Sequence, residues 1–204
     1  MKLLKRKNIR VLGAIKGLVS EGERVREEIE SFHGDLAAIS ISPEELKGLR
    51  EYIKEGEFEI ELYGYEQAYL ENLKEFGEVK APAPSYVEAV KASEKRKIPL
   101  IPLDMDDESF ADIYIENVSK MEFISHMFRE HRIVRKAFRV SSLEDFVLKW
   151  DAYINHAKGL RAVEAAREEH MAKKLAEISK KGEVIAVIDF ERVDGVMRRM
   201  AKYL

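Results

Sequence analysis

Apolar residues are concentrated in short runs, separated by longer stretches in which they recur at helical spacing. The runs lie at residues 9–14, 36–41, 98–103 and 183–188. Runs that are apolar on both faces are typical of strands inside a parallel sheet. The two prolines within 98–103 favour an edge position or a strand end for that segment. The alternation of such strands with helices is typical of a layered fold. We therefore predict an α/β protein with a largely parallel central sheet flanked by helices.

Local signals place several helix boundaries. Ser20, with Glu23 three residues later, predicts a capping box, and Gly34 predicts the end of that helix. Serine and proline at 42–43 predict the start of the next helix. The alternation over 58–62 predicts a strand. A helix is expected over 66–76, an extended linker over 81–85 and another helix over 86–97.

Residues 108–181 have helical spacing almost throughout, with helices expected near 108–118, 120–138, 142–156 and 158–180. We interpret this stretch as a helical insertion or cap before the last strand, within a single α/β domain over 1–204. The basic start, residues 1–7, is interpreted as the run-in to the first strand and not as a signal peptide. Apolar residues in the second of these helices are expected to be mostly core, with some available to a second subunit: Met121, Phe123, Met127, Ile133, Val134 and Phe138.

Composition narrows the class of protein. Hydrophobic residues make up 46% and charged residues 36%, with a formal net charge of −3. This mixed charge gives no reason to expect nucleic acid or an anionic membrane as the main partner. The absence of cysteine excludes disulfides, thiolate metal sites and thiol nucleophiles. There is no threonine and a single glutamine, a thermophile-like bias. No apolar stretch approaches the ~20 residues of a membrane span, and a cytoplasmic location is expected.

Ligands of open parallel sheets bind beyond the carboxyl ends of the strands. That rule selects the turns at 13–17, 40–42, 104–107 and 189–192. One interpretation is that their polar residues are caps and solvated loop positions. The other is a pocket that holds carboxylates and two cations, suited to an anionic or zwitterionic ligand. The residues concerned are Lys16, Ser40, Ser42, Asp104, Asp106, Asp189, Glu191 and Arg192.

The same turns carry a resemblance to the TraB/PrgY-like family, which spans about residues 11–196. The sequence Gly13-Ala14-Ile15-Lys16 stands where that family has Gly-Thr-Ala-His. Ala38-Ile39-Ser40-Ile41 stands for Ala-Val-Glu-Leu, so Ser40 replaces an acidic residue thought to be functional. Ile101-Pro102-Leu103-Asp104-Met105 is similar to a strand ending Leu-Ile-Asp-Arg, with the aspartate kept.

The end of the chain carries the most specific part of this resemblance. The segment 166–172 resembles the family's Glu-Arg-Asp-x-Tyr-Met-Ala helix, and Asp189-Phe190-Glu191-Arg192 stands for Gly-Ala-Gly-His. Both family histidines are therefore replaced, one by Lys16 and one by Arg192. A divalent ion needs neutral imidazole and carboxylate ligands, whereas arginine keeps its charge and cannot coordinate. The resemblance thus implies the family fold without its metal chemistry, and Asp104, Asp189 and Glu191 are expected to pair with the two cations.

Other candidate sites are less specific. Glu122, His126 and Glu130 share one helical face and form the best local metal candidate, although an exposed salt-bridge stripe is favoured. The basic run over 129–139 is interpreted as a solvated helix face, with a nucleic-acid adaptor as a lower alternative. No phosphate-binding glycine loop or serine-nucleophile elbow is present in the sequence.

We therefore predict a diverged TraB-like domain without metal-hydrolase activity, which binds a small anionic ligand or a protein partner. The predicted ligand residues are Lys16, Ser40, Asp104, Asp189, Glu191 and Arg192. No cofactor is predicted. The alternative is a metal-dependent hydrolase whose site is rebuilt from Asp104, Asp189, Glu191 and a histidine. A homo-oligomer formed through the helical region is one of the partner hypotheses.

Overall fold

The computed structural model describes residues 2–56, 60, 62 and 64–204. Its strands are β1 (Lys2–Arg6), β2 (Ile9–Ala14), β3 (Leu36–Ile39), β4 (Leu100–Pro102) and β5 (Val184–Asp189). Its helices are α1 (Val19–Glu30), α2 (Pro43–Lys54), α3 (Gly64–Leu73), α4 (Pro84–Arg96), α5 (Asp107–Asn117), α6 (Lys120–Ile133), α7 (Leu143–Ile154), α8 (Lys158–Ser179) and α9 (Val193–Met200). A 3₁₀ turn, Phe190–Arg192, joins β5 to α9.

The five strands form one sheet in the order β1-β2-β5-β3-β4. All neighbouring strands are parallel except β1, which runs antiparallel to β2. The predicted fold class, a largely parallel α/β sheet with a long helical stretch before the last strand, is confirmed. The edge strand β1 was not predicted as a strand. It alternates half-buried and exposed residues because only one of its faces packs, so it lacks an unbroken apolar run.

Helices cover both faces of the sheet. On one face α1, α2 and α4 pack against inward residues of β2, β3 and β5 such as Leu12, Ile39 and Val187. On the other face α8 and α9 pack against the alternate residues of those strands, such as Val11 and Ile188. The last helix of the predicted insertion, α8, therefore forms one layer of the α/β/α sandwich together with α9.

A third apolar cluster lies at the carboxyl edge of the sheet, where β2 runs into Ile15 and Leu18. Aromatic side chains of α3 and α7 fill it, and Phe146 and Trp150 are both buried. Tyr69 stacks on Phe146 with ring centroids 5.7 Å apart. This cluster closes the end of the sheet at which the predicted ligand turns emerge.

The predicted start and end of α1 are wrong, whereas the predicted start of α2 is confirmed. Helix α1 begins at Val19, with Leu18 at the N-cap and no side-chain cap, because Ser20 already lies within the first turn. The same helix ends at Glu30, four residues before Gly34. Ser42 does cap α2 through a complete capping box with Glu45. The predicted strand over 58–62 falls largely outside the described residues.

The predicted core positions of α6 are mostly exposed. Ile133 is the only residue of this 14-residue helix that is fully buried. Met121, Phe123, Met127 and Val134 are exposed. The exposed apolar residues share one side of the helix, which faces solvent, whereas Ile133 is buried. Among the described residues, no helix is both long enough and apolar enough to cross a membrane.

Candidate functional site

Three parallel strands deliver polar side chains to a single cavity at the carboxyl edge of the sheet. Lys16 follows β2, Ser40 follows β3, and Asp189 is the last residue of β5. Glu191 lies in the 3₁₀ turn that follows β5. All four line a cavity of about 440 Å³, which we call the sheet-edge cavity. The convergence predicted for these four residues is therefore observed.

The turn after β2 sets the position of Lys16. Gly17 has a φ of 96°, and an added Cβ there would overlap the side chain of Leu70. Buried Glu21 accepts a hydrogen bond from the backbone N–H of Ile15 at 3.1 Å. These constraints fix the backbone on both sides of Lys16 and hold its stem at the cavity.

Asp189 is held by three hydrogen bonds. Its backbone N–H donates to the hydroxyl oxygen of Ser40 at 3.0 Å. Lys16 donates to its Oδ2 at 3.0 Å, and the hydroxyl of Tyr86 donates to its Oδ1. Burial opposes ionisation of this carboxyl, but the charge of Lys16 and the Tyr86 hydroxyl outweigh it and lower the pKa of Asp189. Asp189 is therefore a fixed negative charge with both oxygens engaged.

Lys16 remains a cation in this environment. Burial alone would lower its pKa, but the negative charges of Asp189 and Glu191 outweigh burial and raise the pKa of Lys16 overall. Its side chain is 40% exposed and faces the cavity that it lines. An ammonium group has three donors, and one is used on Asp189. The arrangement leaves Lys16 able to donate to a ligand and unsuited to act as a nucleophile or base.

Glu191 differs from Asp189 although only one residue separates them. Its side chain is 11% exposed, and its Oε1 lies 3.8 Å from Nζ of Lys16, beyond hydrogen-bond distance. Burial raises the pKa of Glu191, and the nearby charge of Asp189 adds to this rise against the opposing effect of Lys16. A cavity-lining carboxyl with a raised pKa holds its proton to a higher pH than an exposed glutamate does.

The remaining walls of the cavity are aromatic and apolar. Tyr69 meets Trp150 edge to face with centroids 5.3 Å apart. Burial raises the pKa of Tyr69, as it does that of Tyr86, so both remain neutral hydroxyl groups. The apolar side of the cavity is lined by Ile60, Leu62, Tyr65, Tyr69, Leu70 and Trp150. The cavity therefore has a charged floor and a wall able to pack against an apolar or aromatic group.

Asp104 does not pair with either predicted cation. It accepts two hydrogen bonds from Arg167 of α8, from Nε at 3.0 Å and from Nη2 at 2.5 Å. Arg167 also donates to Glu164 at 3.2 Å. Arg167 lines the sheet-edge cavity, whereas Asp104 is buried behind it. Asp104 thus positions Arg167, and it ties β4 to α8.

Arg192 is likewise separated from Lys16. Its guanidinium pairs with Asp151 at 3.0 Å and with Glu164 at 2.5 Å. It lines a second cavity of about 450 Å³ together with Arg161, Arg198 and Arg199. The prediction that Lys16 and Arg192 share one pocket is therefore wrong, because the 3₁₀ turn after β5 directs Glu191 and Arg192 to different cavities.

The histidine-containing stripe on α6 is occupied by structural contacts. Glu122 closes a capping box with Ser119 and accepts the backbone N–H of Gly159 at 2.9 Å. These hydrogen bonds, that of Gly159 first, lower the pKa of Glu122 to about 2. His126 lies 3.3 Å from Glu130. Within the residues that the structure describes, no group of three or more His, Asp or Glu side chains is close enough to hold a metal ion.

Several residues of the site were not predicted from the sequence. Tyr86 lies in the first turn of α4, far along the chain from Asp189, and only the packing of α4 on the sheet brings them together. Arg167 falls in the segment that resembles the family helix, but the sequence alone does not place it at the pocket. The tyrosine and tryptophan wall carries no local signal, since aromatic residues at helical spacing are typical of any buried face.

Comparison with protein-family models and with curated proteins finds no match to this chain.

Proposed function

We propose that this chain is a diverged TraB-like domain that binds a small organic monoanion in the sheet-edge cavity and does not carry out metal-dependent hydrolysis. The observation that carries the proposal is the pairing of a permanently charged Lys16 with a carboxyl, Glu191, whose pKa is raised, at the floor of an aromatic-walled cavity. The parts of such a ligand match the parts of the cavity. A carboxylate or similar anion meets the floor, and an apolar body meets the wall.

The charges at the floor favour an anion over a cation. Lys16 keeps its charge and has donors left, so it repels an ammonium ligand and donates to a carboxylate. When Glu191 is protonated it becomes a second donor beside Lys16. An anion at this point raises the pKa of Glu191 further, so binding takes up a proton. Anion affinity should then increase as the pH falls.

The same charges oppose a divalent ion at this point. Both oxygens of Asp189 already accept hydrogen bonds, and Asp104 is held by Arg167. A metal ion between Asp189 and Glu191 would lie beside the ammonium of Lys16. Metal-dependent hydrolysis, with Asp104, Asp189, Glu191 and a histidine as ligands, is the competing hypothesis.

Calorimetry across pH 5 to 8 tests the proposal by measuring the binding of benzoate, benzyl alcohol and benzylamine. Benzoate should bind with an affinity that rises as pH falls, by up to about tenfold per pH unit, while benzylamine should not bind. Lys16→Met should weaken the binding of benzoate at least tenfold. Lys173→Met, which removes an equal charge from the exposed face of α8, is the matched control.

Two further variants test the floor and the wall of the cavity separately. Glu191→Gln should bind benzoate with an affinity that no longer depends on pH. Tyr65→Ala should lower the affinity for benzoate, because it removes part of the apolar wall. Preferential binding of benzylamine, or equal affinity in Lys16→Met and the parent, would contradict the proposal. A saturable rise in melting temperature with Mn²⁺, Co²⁺ or Zn²⁺ that Glu191→Gln abolishes would favour the hydrolase instead.

A further inference from the structure

We propose that the exposed apolar face of α6 is a self-association surface, at which two copies of this chain pair antiparallel about a twofold axis. The face, which we call the α6 face, consists of Met121, Phe123, Ile124, Met127, Phe128 and Val134. These side chains are between 45% and 74% exposed. The first five recur at spacings of three and four residues and form one stripe along the helix, and Val134, the C-cap residue, follows Met127 by seven residues on the same side.

Helices α5 and α6 bury almost none of their residues within the protomer. None of the 11 residues of α5 is buried, and only Ile133 is buried in α6. Helices of this length are marginal in water without an apolar face to pack. The inward side of α6 instead holds polar contacts such as those of Glu122 and Arg129. The largest apolar surface of α6 is therefore the one that the protomer leaves uncovered.

The area of the α6 face fits a dimer. At roughly 200 Å² for a fully exposed large side chain, the exposed fractions of the six residues correspond to roughly 700 Å². One partner of a standard protein interface contributes about 800 Å². Isolated exposed apolar side chains need no explanation, but a continuous patch of this size on one helix is typical of an interaction surface.

The charges at the two ends of the α6 face identify a second copy as the partner. Along the chain, the exposed carboxylates of Asp112 and Glu116 in α5 precede the amino end of α6, and the exposed Arg132 and Arg135 flank its carboxyl end. None of these four makes an ion pair with another residue in the described ranges. Antiparallel pairing about a twofold axis places the acidic end of each copy against the basic end of the other. Met127 and Phe128 then lie near the axis.

The mass of the protein in solution, measured by light scattering and sedimentation over a range of concentrations, tests this pairing. The parent chain should be a dimer whose dissociation constant rises at least tenfold in Phe128→Glu or Met121→Glu. Leu3→Glu changes a comparably exposed apolar residue on the edge strand β1, and it should leave the dimer intact. Circular dichroism checks that each variant is folded.

Charge reversal tests the antiparallel arrangement. Asp112→Lys with Glu116→Lys should weaken the dimer about fivefold or more, and so should Arg132→Glu with Arg135→Glu. All four changes together should restore it, because both ends are then reversed. A monomer at high micromolar concentration, a dimer unaffected by Phe128→Glu, or a fourfold variant weaker than either pair would overturn the proposal.

Discussion

Burial raises the pKa of both Asp189 and Glu191, but only at Asp189 do the charge of Lys16 and the hydrogen bonds outweigh it. Asp189 accepts from Lys16 and Tyr86, and its pKa is lowered. Glu191 lies at 3.8 Å from Lys16, and its pKa is raised. The contribution of Asp189 to stability is therefore present above its ordinary pKa and is lost as the pH falls. The contribution of Glu191 is complete below its ordinary pKa and is lost as the pH rises through its raised value.

Glu191→Gln should increase the free energy of unfolding above that raised pKa and have little effect at low pH. Glutamine is neutral at every pH, so the folded protein no longer has to ionise a buried carboxyl. Urea denaturation at a series of pH values measures this difference. Glu177→Gln, an exposed carboxylate on α8, is the control and should show no such gain. A Glu191→Gln variant that is less stable than the parent at pH 8 would mean that the ion pair with Lys16 outweighs burial.

At the level of single residues, the sequence predicts which polar residues follow the strands but not which of them are in contact. Lys16 and Asp189 were both expected at the cavity because each follows a buried strand. Their contact depends on β2 and β5 being neighbours in the sheet, although 169 residues lie between Ala14, the last residue of β2, and Val184, the first of β5. Arg192 and Asp104 also follow strands, but they do not contact Lys16. Their partners, Glu164 and Arg167, come from α8.

Helices α1 and α4 approach each other at a glycine. An added Cβ at Gly22 would lie 2.8 Å from Cβ of Pro84 and 2.9 Å from its backbone carbonyl. Alanine favours a helix over glycine by about 1 kcal/mol. The contact is with the backbone, however, and cannot yield easily. The close packing of these two helices therefore depends on Gly22.

Gly22→Ala should lower the free energy of unfolding by about 1 to 2 kcal/mol, because overpacking outweighs the gain in helix propensity. Gly48→Ala in α2 provides a matched comparison, since an added Cβ there meets nothing within 4 Å. That variant should be more stable than the parent by about 0.5 to 1 kcal/mol. Chemical denaturation measures both. If both substitutions stabilise the protein equally, α1 and α4 are not held in contact at Gly22.

Helix α6 shows what helical periodicity does and does not predict. The spacing of Met121, Ile124 and Phe128 correctly indicates that they share a side of a helix. It does not indicate what that side faces, because a core and a partner protein both select apolar residues. The polar residues on the opposite side of α6, such as Glu122 and Arg129, make the contacts with the rest of the protomer. Glu122 was assigned to a salt-bridge stripe from the sequence, and the structure places it against Gly159 and Ser119.

At the level of the whole molecule, stability is distributed unevenly. All six residues of β5 are buried, between two parallel neighbours and beneath helices on both faces. Helices α5 and α6 together bury one residue fully. Local opening costs least where few apolar contacts are lost. The two regions should therefore differ widely in the protection of their backbone amides.

If two copies pair through the α6 face, that difference should depend on protein concentration. Amides of α6 should exchange with solvent quickly in dilute protein, where the protomer is free, and more slowly at high concentration, where the partner must dissociate first. Amides of β5 should stay protected at both concentrations. Hydrogen exchange followed by mass spectrometry resolves the two segments, and Phe128→Glu should remove the concentration dependence from α6 alone. Slow exchange in α6 that is the same at every concentration would show that contacts within one protomer, not a second copy, hold this helix in place.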